Sequence, residues 1–161
     1  MIKLLFSSGL WLLATAAAAQ TRPAPVTFLN PATVAPAKGY SHAAQVDLGP
    51  STMLIISGQV ALDAQDVVVG PGNMGKQAEQ AFANLKAIVE AAGGTMRDVV
   101  KLSYFLLDVS QLPAVRTARD RYINTATPPA STAVQVSKLF REDLLIEIEA
   151  TAIIPKKPGS R

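Results

Sequence analysis

Apolar residues recur at spacings of three and four along residues 74–92, so that one face of this segment is apolar throughout. This period is typical of an amphipathic α-helix, and the pair Gly93-Gly94 indicates its end. A second, weaker apolar stripe predicts another helix over about residues 111–123. We therefore predict two amphipathic helices, each with a single apolar face.

Further segments carry the β-branched and apolar residues that are typical of strands. They are residues 43–48, 52–57, 99–107, 132–138 and about 144–154. In the last segment apolar and polar residues alternate, which puts the isoleucines on one face of the strand and Glu147 and Glu149 on the other. Gly58, directly after the second segment, indicates a bulge or a close approach of the backbone.

The predicted elements follow in the order β-β-α-β-α-β-β. A helix with one apolar stripe can bury it against one face of a sheet only, so the sequence predicts an α+β two-layer sandwich with a mixed sheet and two helices on one face. The opposite sheet face is then uncovered within the chain. Because apolar and small polar residues alternate on it, another subunit can cover it, and we expect a homo-oligomer.

The N-terminus carries a targeting pattern. Lys3 precedes an apolar run, and small residues follow at positions 17–19. This pattern predicts a signal peptide over residues 1–19, because the apolar run is shorter than the roughly 20 residues that a membrane-spanning helix needs. We expect an exported protein, periplasmic or secreted, with no stable membrane anchor after cleavage. An uncleaved anchor is the alternative.

The rest of the chain divides into three parts. Residues 20–38 contain several prolines, which fix φ and remove hydrogen-bond donors, and they predict an extended leader. Residues 39–155 are predicted to form one domain, since 49% of the sequence is hydrophobic and only 17% is charged. Residues 156–161 hold Lys156 and Lys157 beside proline and glycine, and predict a flexible tail.

Composition excludes several classes of site. The sequence contains no cysteine, which rules out a thiol nucleophile, a disulfide and a thiolate metal site. Its one histidine, His42, lies in no close acidic cluster, so we expect no bound metal, and a histidine in a loop is expected to be solvated. The net charge of +3 comes from scattered basic residues and does not favour a nucleic-acid partner.

Four segments carry recognisable motifs. They are GYSH at residues 39–42, ISGQ at 56–59, NLKAIVEAAGGTMRDVVKL at 84–102, and PPAS with the later IEIEA within 128–150. Together they resemble the Rid family of reactive intermediate deaminases, also called YjgF-like proteins, from about Tyr40 to Ala152. The resemblance implies a chorismate-mutase-like fold, a homotrimer with a small-molecule ligand in each intersubunit cleft, and no metal or organic cofactor.

The resemblance also implies a reaction and a set of site residues. The deaminating members of the family hydrolyse imines and enamines derived from amino acids to a 2-oxo acid and ammonia. By position, Glu147 is the catalytic residue that orients the attacking water. The substrate-binding positions are Tyr40, Ser57, Arg116, Ser131 and Ala133. From the residues alone, the favoured interpretation of Glu147 and Glu149 is two solvated carboxylates on an open sheet face.

Ser131 departs from the family pattern, because the deaminating members carry at this position an Arg that binds the substrate carboxylate. A hydroxyl cannot replace the two parallel charge-assisted bonds of a guanidinium, and losing a buried charged pair costs about 2–5 kcal/mol. Two hypotheses follow. One is a deaminase in which another cation, Arg116 or more weakly Arg141, holds the substrate; the other is a trimer that binds a small ligand without turnover. Nucleic-acid processing, a third class, is disfavoured by the predicted export and the low net charge.

Overall fold

The computed structural model describes residues 24–157, which form a six-stranded sheet and two α-helices. The strands are β1 Val26–Leu29, β2 Ala43–Asp47, β3 Ser51–Gln59, β4 Val99–Leu106, β5 Ala130–Gln135 and β6 Ile146–Pro155. The helices are α1 Met74–Ala91 and α2 Leu112–Arg119, with short 3-10 turns at Met96–Asp98 and Val109–Gln111. The sheet order is β1-β2-β3-β6-β4-β5, and every neighbouring pair is antiparallel except β4 and β5, which are parallel.

The predicted α+β arrangement is confirmed, and the alternation along β6 explains which face the helices cover. Alternate residues of β6 from Ile146 to Ile154 are buried, and α1 packs on them with its apolar stripe, in which Phe82 is wholly buried. Helix α2 packs against α1 and adds to the same core. Glu147 and Glu149 therefore project from the opposite, uncovered face of the sheet.

The sheet has one strand more than the sequence predicted. Strand β1 lies inside the segment that was predicted to be an extended leader, and it pairs antiparallel with β2, with Val26 opposite Val46. Its Val-Thr-Phe-Leu sequence suits a strand, and Pro25 and Pro31 flank it without removing donors from its interior. The element order is therefore β-β-β-α-β-α-β-β.

The end of α2 and the start of the C-terminal tail also differ from the prediction. Helix α2 ends earlier than its weak apolar stripe suggested, and the chain leaves Arg119 in hydrogen-bonded turns, with the Tyr122 N–H bound to the Arg119 carbonyl at 2.8 Å. Lys156 was assigned to the flexible tail. In the structure its backbone N–H donates to the Pro50 carbonyl at 2.9 Å, and its ammonium lies 2.6 Å from Asp47.

Part of the predicted organisation lies outside the described residues. This part comprises the signal peptide of residues 1–19, the first residues of the leader, and the end of the tail from residue 158 onward. Within the described part of the chain, no helix is both long enough and apolar enough to cross a bilayer.

Gln77 joins α1 to the loop between β5 and β6. Its side chain is wholly buried, its Nε2 donates to the Asp143 carbonyl, and its Oε1 accepts from the Leu145 N–H, each at 2.8 Å. We expect Gln77→Met to lower the free energy of unfolding by about 2–5 kcal/mol, because two partly buried backbone groups lose their partners. Urea titration measures the change. Gln65→Met, at an exposed loop position, is the control and should stay within about 0.5 kcal/mol of wild type; equal midpoints for the two variants would contradict this role of Gln77.

Candidate functional site

Tyr40, Ser57 and Glu147, all predicted for the site, line one cavity of about 560 Å³. We call it the Glu147 cavity. Ser57 belongs to β3 and Glu147 to the neighbouring strand β6, so the cavity lies beside the uncovered face of the sheet. The fold therefore brings together three residues that are far apart in the sequence.

Arg116, Ser131 and Ala133 line a second cavity of about 190 Å³, which we call the Ser131 cavity. It lies between α2 and the edge strand β5. Ser131 and Ala133 lie opposite Leu102 and Tyr104 of β4, whose side chains are buried on the helix side of the sheet. A single chain therefore divides the predicted site residues between two cavities on opposite faces of the sheet.

The Glu147 carboxylate is half-buried, and it makes no hydrogen bond or ion pair with the other described residues. Burial raises its pKa above the ordinary value of 4.5, and the neighbouring charge of Glu149 raises it further. A carboxylate with a raised pKa that borders a cavity without a partner is suited to exchange a proton with a bound water.

Gly58 makes room for this carboxylate. The pairing of β3 with β6 shifts register between Ile56 and Gln59, which confirms the irregularity that the sequence indicated at Gly58. A Cβ atom built on Gly58 would overlap Oε1 of Glu147. The missing side chain thus allows the carboxylate to lie directly against the backbone of β3.

Tyr40 and Ser57 present hydroxyl groups at the same cavity. The Ser57 hydroxyl donates to the Ser41 carbonyl at 2.7 Å, so it is left to accept a hydrogen bond from a ligand. The pKa of Tyr40 is raised, first by partial burial and then by the charges of Asp66 and Glu147. Its phenol therefore remains a protonated donor beside the Glu147 carboxylate.

The cations that line the Glu147 cavity are paired with carboxylates. Lys38 Nζ lies 2.6 Å from Asp66, and Arg141 donates two hydrogen bonds to Asp143, at 3.0 and 2.7 Å. Arg141, the weaker of the two cations that the sequence suggested, therefore has its charge paired with Asp143. The sequence did not indicate the Lys38–Asp66 pair, because it joins two loops that only the fold brings together.

The Ser131 cavity is lined by two guanidinium groups rather than one. Arg116 is exposed, whereas Arg119 lies one turn further along α2 with its side chain only 22% exposed. Sequence reasoning missed Arg119 and the buried Tyr104, although the spacing of three between the two arginines places both on one side of a helix. The Ser131 hydroxyl itself donates to the Pro129 carbonyl at 3.1 Å.

His42 is buried, so the expectation of a solvated loop histidine is wrong. It is 3% exposed, its Nε2 lies 2.8 Å from the Ala35 carbonyl, and its backbone N–H donates to Asn30 Oδ1 at 2.9 Å. These contacts turn the ring inward, edge-on to Tyr40, as the chain enters β2. His42 lines neither cavity, and the described residues contain no group of three or more histidine and acidic side chains that could hold a metal ion.

Glu147→Gln is expected to raise the Tm of the protein at pH 7 and to leave it nearly unchanged at about pH 4. Because the pKa of Glu147 is raised in the folded state, ionisation opposes folding, and stability is lost as the pH rises from the ordinary value of 4.5 through the raised one. Glutamine carries no charge and avoids this loss. Thermal unfolding at both pH values measures the effect. A variant no more stable than wild type at pH 7 would contradict a raised pKa of Glu147 in the folded protein.

One family model and several known proteins are similar to the chain. The model, described as endoribonuclease L-PSP, matches residues 31–154. The 2-iminobutanoate/2-iminopropanoate deaminase of Escherichia coli K12 is 38% identical over 121 residues, which cover 74% of this chain and 91% of that protein. A RutC family protein of Synechocystis is 36% identical over 122 residues, covering 75% and 90%. The crystal structure of RidA from a Psychrobacter species matches with a TM-score of 0.69 and 33% identity, over 80% of this chain and 99% of that one.

Proposed function

The chain belongs to the Rid family, and from that premise we propose that it hydrolyses imines or enamines of small 2-amino acids to 2-oxo acids and ammonia. The proposal rests on the Glu147 carboxylate. It is half-buried and unpaired among the described residues, it lines the Glu147 cavity, and its pKa is raised. The Escherichia coli relative that is named 2-iminobutanoate/2-iminopropanoate deaminase supports the same class of substrate.

Glu147 can supply the proton transfers of this reaction. Water attacks the carbon of the C=N bond, and Glu147 takes a proton from it as the C–O bond forms while the nitrogen gains a proton, which gives a carbinolamine. The hydroxyl proton then passes through Glu147 to the nitrogen, the C–N bond breaks as the C=O group forms, and the nitrogen departs as ammonia. The Tyr40 hydroxyl, at the same cavity, can orient the water or the substrate by donating a hydrogen bond.

We infer that a homotrimer joins the two cavities into one site. Every residue of the edge strand β5 is exposed, and an unpaired strand edge of this kind is normally covered. Large apolar side chains are also exposed on the sheet face without helices and at the mouth of the Glu147 cavity, namely Ile55, Val134 and Phe140. A neighbouring copy that packs at the exposed β5 edge would bring its Glu147 cavity to the Ser131 cavity, which lies beside that edge.

Sedimentation equilibrium tests the assembly. At micromolar concentration the mass should be three times that of the chain present in the preparation. A monomer would contradict a site shared between copies, because within one chain Glu147 and Ser131 lie on opposite faces of the sheet.

A binding protein without turnover is the alternative, and the serine at position 131 favours it. The Ser131 hydroxyl is engaged with Pro129, and the cations at the Glu147 cavity are engaged with Asp66 and Asp143. With both cations that line the Glu147 cavity already paired, binding at that cavity alone would hold acids too weakly for efficient catalysis. The same trimer would then capture a small ligand and release it unchanged.

Cleavage of nucleic acid, which the description of the family model suggests, fits the site poorly. The net charge of +3 is small for a protein that binds a phosphate backbone. The Glu147 cavity is also lined by the carboxyl groups of Asp66 and Glu147, which repel phosphates.

An assay with an imine made in the reaction mixture tests the proposed activity. An amino acid oxidase converts 2-aminobutanoate to 2-iminobutanoate, and the release of 2-oxobutanoate is followed with and without the purified protein. Acceleration in proportion to protein concentration supports hydrolysis. No acceleration, with a thermal shift on addition of 2-oxobutanoate, supports the binding alternative.

We also propose that the protein is exported. The support is the succession of a positive charge, an apolar run and small residues over residues 1–19. Cell fractionation with N-terminal sequencing should find the protein outside the cytosol, beginning near Gln20. A cytosolic protein that retains residues 1–19 would contradict export.

A further inference from the structure

The Ser131 cavity is lined by a buried tyrosine whose hydroxyl lacks a partner. Tyr104 is 4% exposed, and its Oη forms no hydrogen bond of regular geometry with the described residues. Folded proteins rarely leave a buried hydroxyl in this state, because desolvation is not recovered by a hydrogen bond. A polar group that enters the cavity would supply the missing partner.

Arg119 of α2 also lines the Ser131 cavity, beside Tyr104. Its guanidinium donates through Nε and Nη2 to Asp120 Oδ1, at 2.9 and 2.7 Å. A guanidinium carries five N–H groups, so donors remain on Arg119 for a second acceptor. Burial raises the pKa of the Tyr104 phenol, whereas the charge of Arg119 and polar contacts with Ser131 and Arg119 lower it; all three residues line the Ser131 cavity.

Arg116 and Arg119 differ in exposure, and this difference indicates which of them binds a ligand in the Ser131 cavity. Arg116 is exposed, and water and salt screen an exposed charge. Arg119 is mostly covered, so water screens its charge less; its ion pair with Asp120 offsets part of that charge, and its remaining N–H groups are the donors offered to a ligand. At about 190 Å³ the cavity accommodates a carboxylate and the few carbon atoms attached to it.

We propose that Arg119 and Tyr104 together bind the carboxylate of a small 2-oxo or 2-imino acid in the Ser131 cavity, and so replace the guanidinium that is absent at position 131. Arg119 supplies the charge, and the Tyr104 hydroxyl supplies a second donor. This inference rests on the proposed function for the identity of the acid. It makes Arg119, rather than Arg116, the residue that selects acids over uncharged ligands.

Calorimetric binding to the full assembled protein tests the assignment, with 2-oxobutanoate and its uncharged analogue 2-oxobutanamide as probes. Arg119→Met should raise the Kd of 2-oxobutanoate at least about 30-fold and leave that of the amide unchanged, because only the acid loses a charged partner. Arg116→Met is the matched control and should raise the Kd of the acid less than about fivefold. Arg119→Lys should restore part of the affinity.

Tyr104→Phe separates a binding role from a structural one. The variant should raise the Kd of 2-oxobutanoate about fivefold, yet raise the Tm of the ligand-free protein, because it removes a buried hydroxyl without a partner. Ser131→Arg in the Arg119→Met background should restore the binding of the acid. The sedimentation mass of each variant shows whether the assembly is intact.

The outcomes separate this inference from the proposed function. If the acid binds through Arg119 but no imine is hydrolysed, the proposed function fails and the inference stands. If imines are hydrolysed and Arg119→Met leaves KM and Kd unchanged, the inference is overturned and the function stands. The inference is equally overturned if Arg116→Met weakens binding as much as Arg119→Met, or if the wild-type protein does not bind 2-oxobutanoate.

Discussion

Replacement of Glu147 by glutamine is expected to lower kcat for 2-iminobutanoate hydrolysis about 10²–10⁴-fold, which is the usual contribution of a general base. Glutamine keeps the size of the side chain but cannot take a proton from the attacking water. KM should change little, because the groups proposed to hold the substrate carboxylate lie in the Ser131 cavity. Initial rates with the imine generated in the mixture, compared at equal protein concentration, measure the effect.

Glu149→Gln is the matched control for this prediction. Glu149 lies on the same strand and the same face as Glu147, but it is exposed and does not line the Glu147 cavity. Its replacement should leave kcat close to the wild-type value. An equal loss in both variants would mean that the charge of the sheet face, and not one carboxylate, supports the reaction.

The pH profile gives an independent reading of the same group. Wild-type kcat/KM should fall as the pH is lowered through the pKa of Glu147, which burial places above the ordinary 4.5. Glu147→Gln should lose this limb of the profile. A limb that persists in the variant would belong to another group.

Gly58→Ala is expected to reduce the activity by on the order of 100-fold or more without a change in any polar group. The added methyl would occupy the place of the Glu147 carboxylate, and a displacement of about 1 Å from the productive geometry can cost this much. The backbone of Gly58 does not lie in the left-handed region, so alanine adds no conformational strain there. The measurements are kcat/KM and the sedimentation mass.

Gly75→Ala provides the matched control. At this position in α1 an added Cβ meets no atom closer than 3.6 Å. Alanine should stabilise the helix by about 0.5–1 kcal/mol and leave kcat/KM unchanged. If Gly58→Ala behaves in the same way, the close contact between Gly58 and Glu147 has no functional consequence.

The regular elements and the orientation of Glu147 could be predicted because they depend on neighbours in the chain. Successive side chains of a strand project to opposite faces whatever packs against them, so the alternation along β6 was enough to place Glu147 and Glu149 on the uncovered face. The apolar stripe of α1 indicated its buried side in the same way. Strand β1 suits a strand by its residue types, but four residues are too few to show an alternation, and a strand this short is stable only when it pairs with β2.

The grouping of the candidate site could not be predicted in this way. The resemblance supplied the correct family and a single set of site residues, but the fold divides that set between two cavities. Arg119 and Tyr104 meet only because α2 packs beside β4, and His42 is buried only because contacts with Ala35 and Asn30 turn it inward. The sequence by itself thus determined the elements, the sheet faces and the family, since periodicity and motifs are properties of nearby residues. Tertiary structure decided which side chains share a cavity and which charges are sheltered, since these depend on where distant segments meet.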